Sequence, residues 1–266
     1  MNLIQALIMA GVEGVTEFLP ISSTAHLMLT ARILNIFQSD FVKSFEIAIQ
    51  LGAILAVAGL YAKKVWGNKK LIPIILTAFV PTGILGFIFY KVVKMYLLGN
   101  DWIAIIAMAA GGILLLKLPI FNFQFTNKSQ FSNSKNQTIN DLSVRKLLFI
   151  GLVQSVAMVP GVSRALATIF GGMAVGLSRK EAVEFSFLLA VPTMAAATGW
   201  DLIASGWGFS TGEWGILTAG FLGAMITAWI TVKWLVRYVE THDFRVFGWY
   251  RIVVAAVWLG IRTVRG

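Results

Sequence analysis

Two long apolar stretches of this chain, about 3–33 and 147–177, are each broken in the middle by a proline followed at once by polar side chains. A run of about 20 apolar residues crosses the roughly 30 Å hydrocarbon layer as a helix, but a broken run of this kind has to turn back. Non-helical backbone at membrane depth is tolerated only where protein covers it or it lines a cavity. The breaks at Pro20 and at Pro160-Gly161 therefore predict two re-entrant helical hairpins with a site between them. Uninterrupted apolar runs near 44–62, 71–90, 102–117, 182–203, 213–232 and 247–261 predict six crossings. The expected fold class is all-α integral membrane, with six transmembrane helices plus two re-entrant helix hairpins arranged as an inverted repeat.

Composition supports the membrane reading. Only 13% of residues are charged and 58% are hydrophobic, against about 25% charged in soluble domains. The net charge of +10 would suggest nucleic acid in a soluble domain. Here the basic residues sit in short loops between apolar runs, which is the positive-inside pattern, and no nucleic-acid-binding motif accompanies them. The absence of cysteine excludes disulfides, thiolate metal sites and a cysteine nucleophile. The opening MNLIQALIMAGVEG lacks a basic start and runs into glutamates, so it is expected to belong to the mature fold rather than to a signal peptide.

The interrupted stretches align with each other at an offset of 140, pairing Gly11 with Gly151, Pro20 with Pro160, Ser23 with Ser163 and Ala25 with Ala165. Glu46 in FEIAIQLGAILAV corresponds to Glu184 in VEFSFLLAVPTM at a slightly different offset. A single membrane domain over 1–266 is expected, with repeat one about 1–118, repeat two about 146–264 and a polar cytoplasmic linker about 119–143. Three crossings per repeat invert the second copy relative to the first. Of the 22 Lys and Arg, six fall on one face and fifteen on the other, with Arg164 inside a hairpin set aside. The richer face is expected to be cytoplasmic. That leaves both termini and the mouth of the first hairpin outside the bacterial cytoplasmic membrane. The Asn-x-Ser/Thr triplets at Asn127 and Asn136 lie in the linker and are read as composition.

Glu13 and Glu17 are four apart and share one helix face. Ionisable groups inside a membrane span are costly and usually functional. Two carboxylates near the negative end of a half-helix call for a cation, and hard oxygen ligands favour Mg²⁺ or Ca²⁺. After Pro20, either Ser22 or Ser23 is placed to cap the returning half-helix. His26 returns to the side of these serines, where it could move a proton. In the second hairpin Ser163 and Arg164 follow the break, and the Arg fork together with free helix N–H groups suits a phosphate. Meeting tips would form a pocket for a phosphoanhydride attacked in line by a nucleophile. Thr168 could add a hydroxyl to that anion site or bond back to a helix carbonyl. Gln154, Glu46 and Glu184 are further candidates for lining the site.

The run Glu13-Gly-Val-Thr-Glu17-Phe-Leu-Pro-Ile-Ser-Ser-Thr-Ala-His26 and the run Pro160-Gly-Val-Ser-Arg164 resemble the two signature motifs of the bacitracin-resistance family, whose members are undecaprenyl-pyrophosphate phosphatases. The resemblance extends through FEIAIQLGAILAV and EFSFLLAVP and so covers essentially the whole chain. It implies hydrolysis of the lipid substrate undecaprenyl pyrophosphate to undecaprenyl phosphate and inorganic phosphate. It also implies metal on Glu13 and Glu17, pyrophosphate on Arg164, and nucleophile and acid/base roles at Ser23 and His26, with the choice between these two left open. Family members commonly carry a serine where this chain has Ala165 and a glycine where it has Ala25. The bilayer and the lipid are the expected partners, a homodimer is compatible with the reading, and no nucleic acid is expected. The rival reading is an inverted-repeat secondary transporter or lipid flippase, which needs no nucleophile.

Overall fold

The computed structural model describes residues 1–97, 99–117, 137–204 and 209–265, all of the regular structure among them helical. The first interrupted stretch forms α1 (Leu3–Thr16) and α2 (Ser23–Ile33), followed by α3 (Asp40–Gly67), α4 (Leu71–Val92) and α5 (Asp101–Lys117). The second forms α6 (Val144–Ser155) and α7 (Arg164–Ala174), followed by α8 (Arg179–Ala204), α9 (Thr211–Thr241) and α10 (Arg245–Arg265). Each expected crossing is a helix. Among the described residues five of them, α3, α4, α8, α9 and α10, are long and apolar enough to cross a membrane. The run expected at 102–117 is the 17-residue α5, about 25 Å long at 1.5 Å per residue. Residues 118–136, which hold most of the expected linker with Asn127 and Asn136, lie outside the described residues. The described remainder of that segment is docked, with Ile139 and Leu142 in the main apolar cluster.

Lipid gives helices no hydrophobic reason to associate, so close backbone approach and polar contacts hold them together. Helix α9 presents Gly220, Ala224 and Ala228, spaced four apart on one face, to α1 and α3. Gly14 sits against this ridge so closely that a Cβ there would come within 2.6 Å of the Ala224 carbonyl oxygen. Gly151 sits equally close to α4, where a Cβ would come within 2.1 Å of the Ala78 carbonyl. The packing partners exchange in the same way: α1 lies on α9 as α6 lies on α4, and α3 lies on α9 as α8 lies on α4. Thr82 Oγ1 on α4 donates to the Gly151 carbonyl at 2.8 Å, and Thr227 Oγ1 on α9 lies 3.5 Å from the Ala10 carbonyl.

The hairpin tips are matched in backbone, with one correction to the expected register. Ser22 (φ 72°) and Ser163 (φ 78°) both have left-handed conformations that are rare for residues with a Cβ, and each stands at the N-cap of its returning helix. Asn35 and Gly176, both also at positive φ, lie 13 residues further on in each copy (35 − 22 and 176 − 163). The structural offset is therefore 141, pairing Ser22, not Ser23, with Ser163. The second tip holds one residue more between proline and serine, a difference that sequence alignment on the prolines conceals.

Candidate active site

The two tips meet over a cavity of about 230 Å³ whose walls include Glu17, Ser22, Ser23, Gln50, Ser163, Arg164 and Met194. Helix α1 ends at Thr16 and the chain turns through Glu17 to Pro20, which has no N–H to continue a helix. Glu17 therefore sits at the helix end with its carboxylate free to bridge the hairpins. Its Oε2 accepts a hydrogen bond from Ser23 Oγ at 2.5 Å, within its own hairpin. Its Oε1 accepts one from Arg164 Nη2 at 3.0 Å, across to the other. Arg164 Nη1 donates to the Ser186 carbonyl at 2.9 Å, and the guanidinium lies 5.6 Å from the centre of the Phe18 ring. Its Nε is buried without a partner.

Ser163 caps α7 by accepting from the Leu166 N–H, at a helix start that the sequence reading left uncapped for an anion. Ser22 occupies the matching cap position, but its hydroxyl makes no capping bond. The Ser163 bond takes up the Leu166 N–H; the N–H groups of Arg164 and Ala165 before it have no earlier turn to bond to, so this end of the cavity keeps two donors suited to an anion.

His26 is placed differently from the expectation that it would pair with a serine. Its Nδ1 lies 2.7 Å from the Ser22 carbonyl and its Nε2 lies 2.9 Å from the Tyr250 hydroxyl on α10, with the two rings stacked. A carbonyl only accepts, so Nδ1 carries the proton and Nε2 accepts from Tyr250. Ser23 is bonded to Glu17 and not to His26, and His26 does not line the cavity. Tyr250 escaped the sequence reading because an aromatic residue in an apolar run looks like any other lipid-facing side chain.

Glu13 is fully buried and neither of its carboxylate oxygens has a hydrogen-bond partner. Glu46, on α3, accepts from Gln38 at 3.3 Å. An orphaned buried carboxylate one helical turn from Glu17 is a costly arrangement that a cation resolves, so this pair fits a hard divalent ion. Among the described residues there is no group of three or more His, Cys, Asp or Glu placed to enclose one.

The cavity lining includes neither Glu13 nor Glu46, and three further candidates stand away from it. Thr168 Oγ1 bonds back to the Arg164 carbonyl at 2.9 Å and to Ser186 Oγ at 2.6 Å, so it braces α7 on α8 and is not directed at the anion site. Gln154 is buried and donates to Thr82 and Thr193, linking α6 to α4 and α8. Glu184 is paired with Lys64 at the far end of α3. Arg251, counted from the sequence among cytoplasmic cations, is wholly buried and bonded to five carbonyl oxygens.

A family model described as bacitracin resistance protein BacA matches residues 6–257. The chain belongs to the BacA family. A protein of Aquifex aeolicus named undecaprenyl-diphosphatase is 49% identical over 254 residues, covering 96% of each chain. A Sulfurihydrogenibium protein of the same name is 45% identical over 97% of this chain and 98% of its own. One from Thermus thermophilus is 43% identical over 96% and 95%. In this BacA-family chain, then, both signature motifs converge on one cavity, joined through the Glu17 carboxylate.

Proposed function

We propose that this chain is a membrane phosphatase that hydrolyses undecaprenyl pyrophosphate to undecaprenyl phosphate and inorganic phosphate, recycling the lipid carrier of envelope polymers and so conferring bacitracin resistance. The observation that carries the reading is the chain Ser23–Glu17–Arg164, which puts a hydroxyl, a base and an anion-binding fork in one cavity. The relatives' names give the substrate class.

Glu17 Oε2 takes the Ser23 proton as Ser23 Oγ attacks the terminal phosphorus. A bond forms between Oγ and phosphorus, the bridging phosphoanhydride bond breaks, and undecaprenyl phosphate leaves. Water then cleaves the serine phosphoester: its oxygen bonds to phosphorus, the Oγ–phosphorus bond breaks, Glu17 returns its proton to Ser23 Oγ, and inorganic phosphate leaves with the remaining water proton released to solvent. Arg164, freed from Glu17, turns its Nη2 and its unpartnered Nε to two phosphate oxygens, and the N–H groups at the start of α7 hold a third. Ser23 lines the cavity and His26 does not, which favours Ser23 as nucleophile; His26, through Ser22, holds the strained turn that presents it. A divalent ion carried by Glu13 and Glu17 would neutralise the pyrophosphate charge, which one arginine already paired with Glu17 does not.

The exchanged packing partners and the matched positive-φ positions support an inverted repeat of a hairpin and three crossings. With Arg251 withdrawn, the cationic residues still divide six against fourteen, so the richer face is assigned to the cytoplasm and the termini to the outside. The cavity walls from α3 and α8, Gln50 and Ala197, lie toward the assigned outer ends of those helices, so the site opens outward. The relatives' names do not favour the transporter reading.

Phosphate release from undecaprenyl pyrophosphate by the purified protein in detergent, with and without chelator, tests the proposal. Release that chelator abolishes and Mg²⁺ restores is expected. A folded protein that releases no phosphate would return the transporter reading to first place.

A further inference from the structure

Arg251 of α10 does not line the cavity, yet it touches both tips that build it. Its Nη1 donates to the Pro20 carbonyl of the first tip at 3.0 Å and to the Val162 carbonyl of the second at 3.2 Å. Its Nη2 donates to the Gly161 carbonyl of the second tip at 2.7 Å and to the Ala107 carbonyl of α5 at 3.0 Å, and its Nε donates to the Met108 carbonyl at 3.1 Å. A guanidinium has five N–H donors, and here all five are spent on backbone. None remains for a substrate oxygen.

The surroundings are shaped for this group. Gly111 on α5 leaves the space it occupies: a Cβ there would stand 2.2 Å from Nη2. The side chain has no accessible surface, and the five carbonyl dipoles supply the solvation that burial removes. A trans peptide sets its N–H opposite its C=O. Holding the Val162 carbonyl on Arg251 therefore turns the Ser163 N–H to the other side of that peptide, at the start of α7, where Ser163 and Arg164 line the cavity.

We infer that Arg251 is a positioning residue for phosphoryl transfer: it pins the tip bearing Glu17 and Ser23 to the tip bearing Arg164, and so fixes the line from nucleophile to bound pyrophosphate. The inference rests on the phosphatase reading above. Reacting groups misplaced by about 1 Å cost on the order of 10²-fold in rate, so Arg251 acts on turnover and leaves substrate capture by Arg164 largely intact.

Two substitutions probe it. Arg251→Lys keeps the charge but loses the five-donor fork. Gly111→Ala keeps every charge and drives a methyl group into the guanidinium. Both are expected to lower kcat by about 10²-fold while KM changes by less than about three-fold. A readout that general destabilisation would not give is rescue: in folded, monodisperse Arg251→Ala, added guanidinium chloride should restore turnover and equimolar ammonium chloride should not. The wild type is assayed alongside. If it releases no phosphate, the phosphatase reading fails. If it is active and a folded Arg251→Lys matches its kcat within two-fold, this inference alone is overturned. Should Arg251→Lys not fold, Gly111→Ala decides by the same criterion.

Discussion

Nine residues before Ser22 stands Glu13, and nine residues before Ser163 stands Gln154, two buried side chains of nearly the same shape at matching places in the two hairpins. Gln154 is neutral and donates to the hydroxyls of Thr82 and Thr193. Glu13 has no partner for either oxygen. The same division continues to the tips: at the first position after the positive-φ serine, one copy has Ser23 and the other Arg164. The matched backbones put two helix ends at one cavity, and in the proposed reading the side chains give the base and nucleophile to one hairpin and the anion grip to the other. Gln154 leaves only its neutral Oε1 without a partner, whereas both oxygens of Glu13 lack one; an unpaired buried carboxylate has a far larger cost, which a ligand or a proton removes.

The contrast can be broken most severely at its bridge. Glu17→Gln removes the base for Ser23 and the charge facing Arg164, and phosphate release should fall by about 10³-fold or more in protein that elutes as the wild type does. Arg164→Lys, in the other hairpin, keeps a charge without the fork; a loss of about 10²-fold in kcat/KM is expected from steady-state assays. Exchanging the buried pair sharpens the comparison further. Glu13→Gln should raise the Mg²⁺ concentration needed for half-maximal rate about 10-fold and leave the chelated protein's Tm unchanged or higher. Gln154→Glu should instead lower Tm, by about 2–8 °C for a loss of 1–2 kcal/mol, with its Mg²⁺ requirement unaltered. Smallest of all, Thr168→Val should change kcat by less than about two-fold, since its hydroxyl serves the α7–α8 contact and not the anion.

Apolar periodicity made the helices legible, and the prolines made the breaks legible, because both are local properties of the chain. The one-residue slip between the hairpins was hidden by the adjacent Ser22 and Ser23, either of which satisfies a capping pattern; only the backbone angles distinguish them. Glu13, Glu17, Ser23 and Arg164 stood out as polar residues in apolar runs. His26 stood out for the same reason, but its partners, the Ser22 carbonyl and Tyr250, leave no hydrogen bond to Ser23. Arg251 was misread because a cation near the end of an apolar run resembles a flanking interface residue. Two of its acceptors, in the hairpin tips, lie 90 and 231 positions away along the chain, a distance over which no local pattern operates.

The central claim is that Ser23 receives the phosphoryl group while Arg164 of the opposite hairpin holds it. The most direct measurement is mass spectrometry of the wild-type protein quenched during turnover at neutral pH, where phosphohistidine would also survive. A phosphoryl group on the peptide containing Ser23, mapped to that residue and absent in Ser23→Ala, is predicted. Phosphate on His26, or turnover with no covalent adduct and full activity in Ser23→Ala, would contradict it.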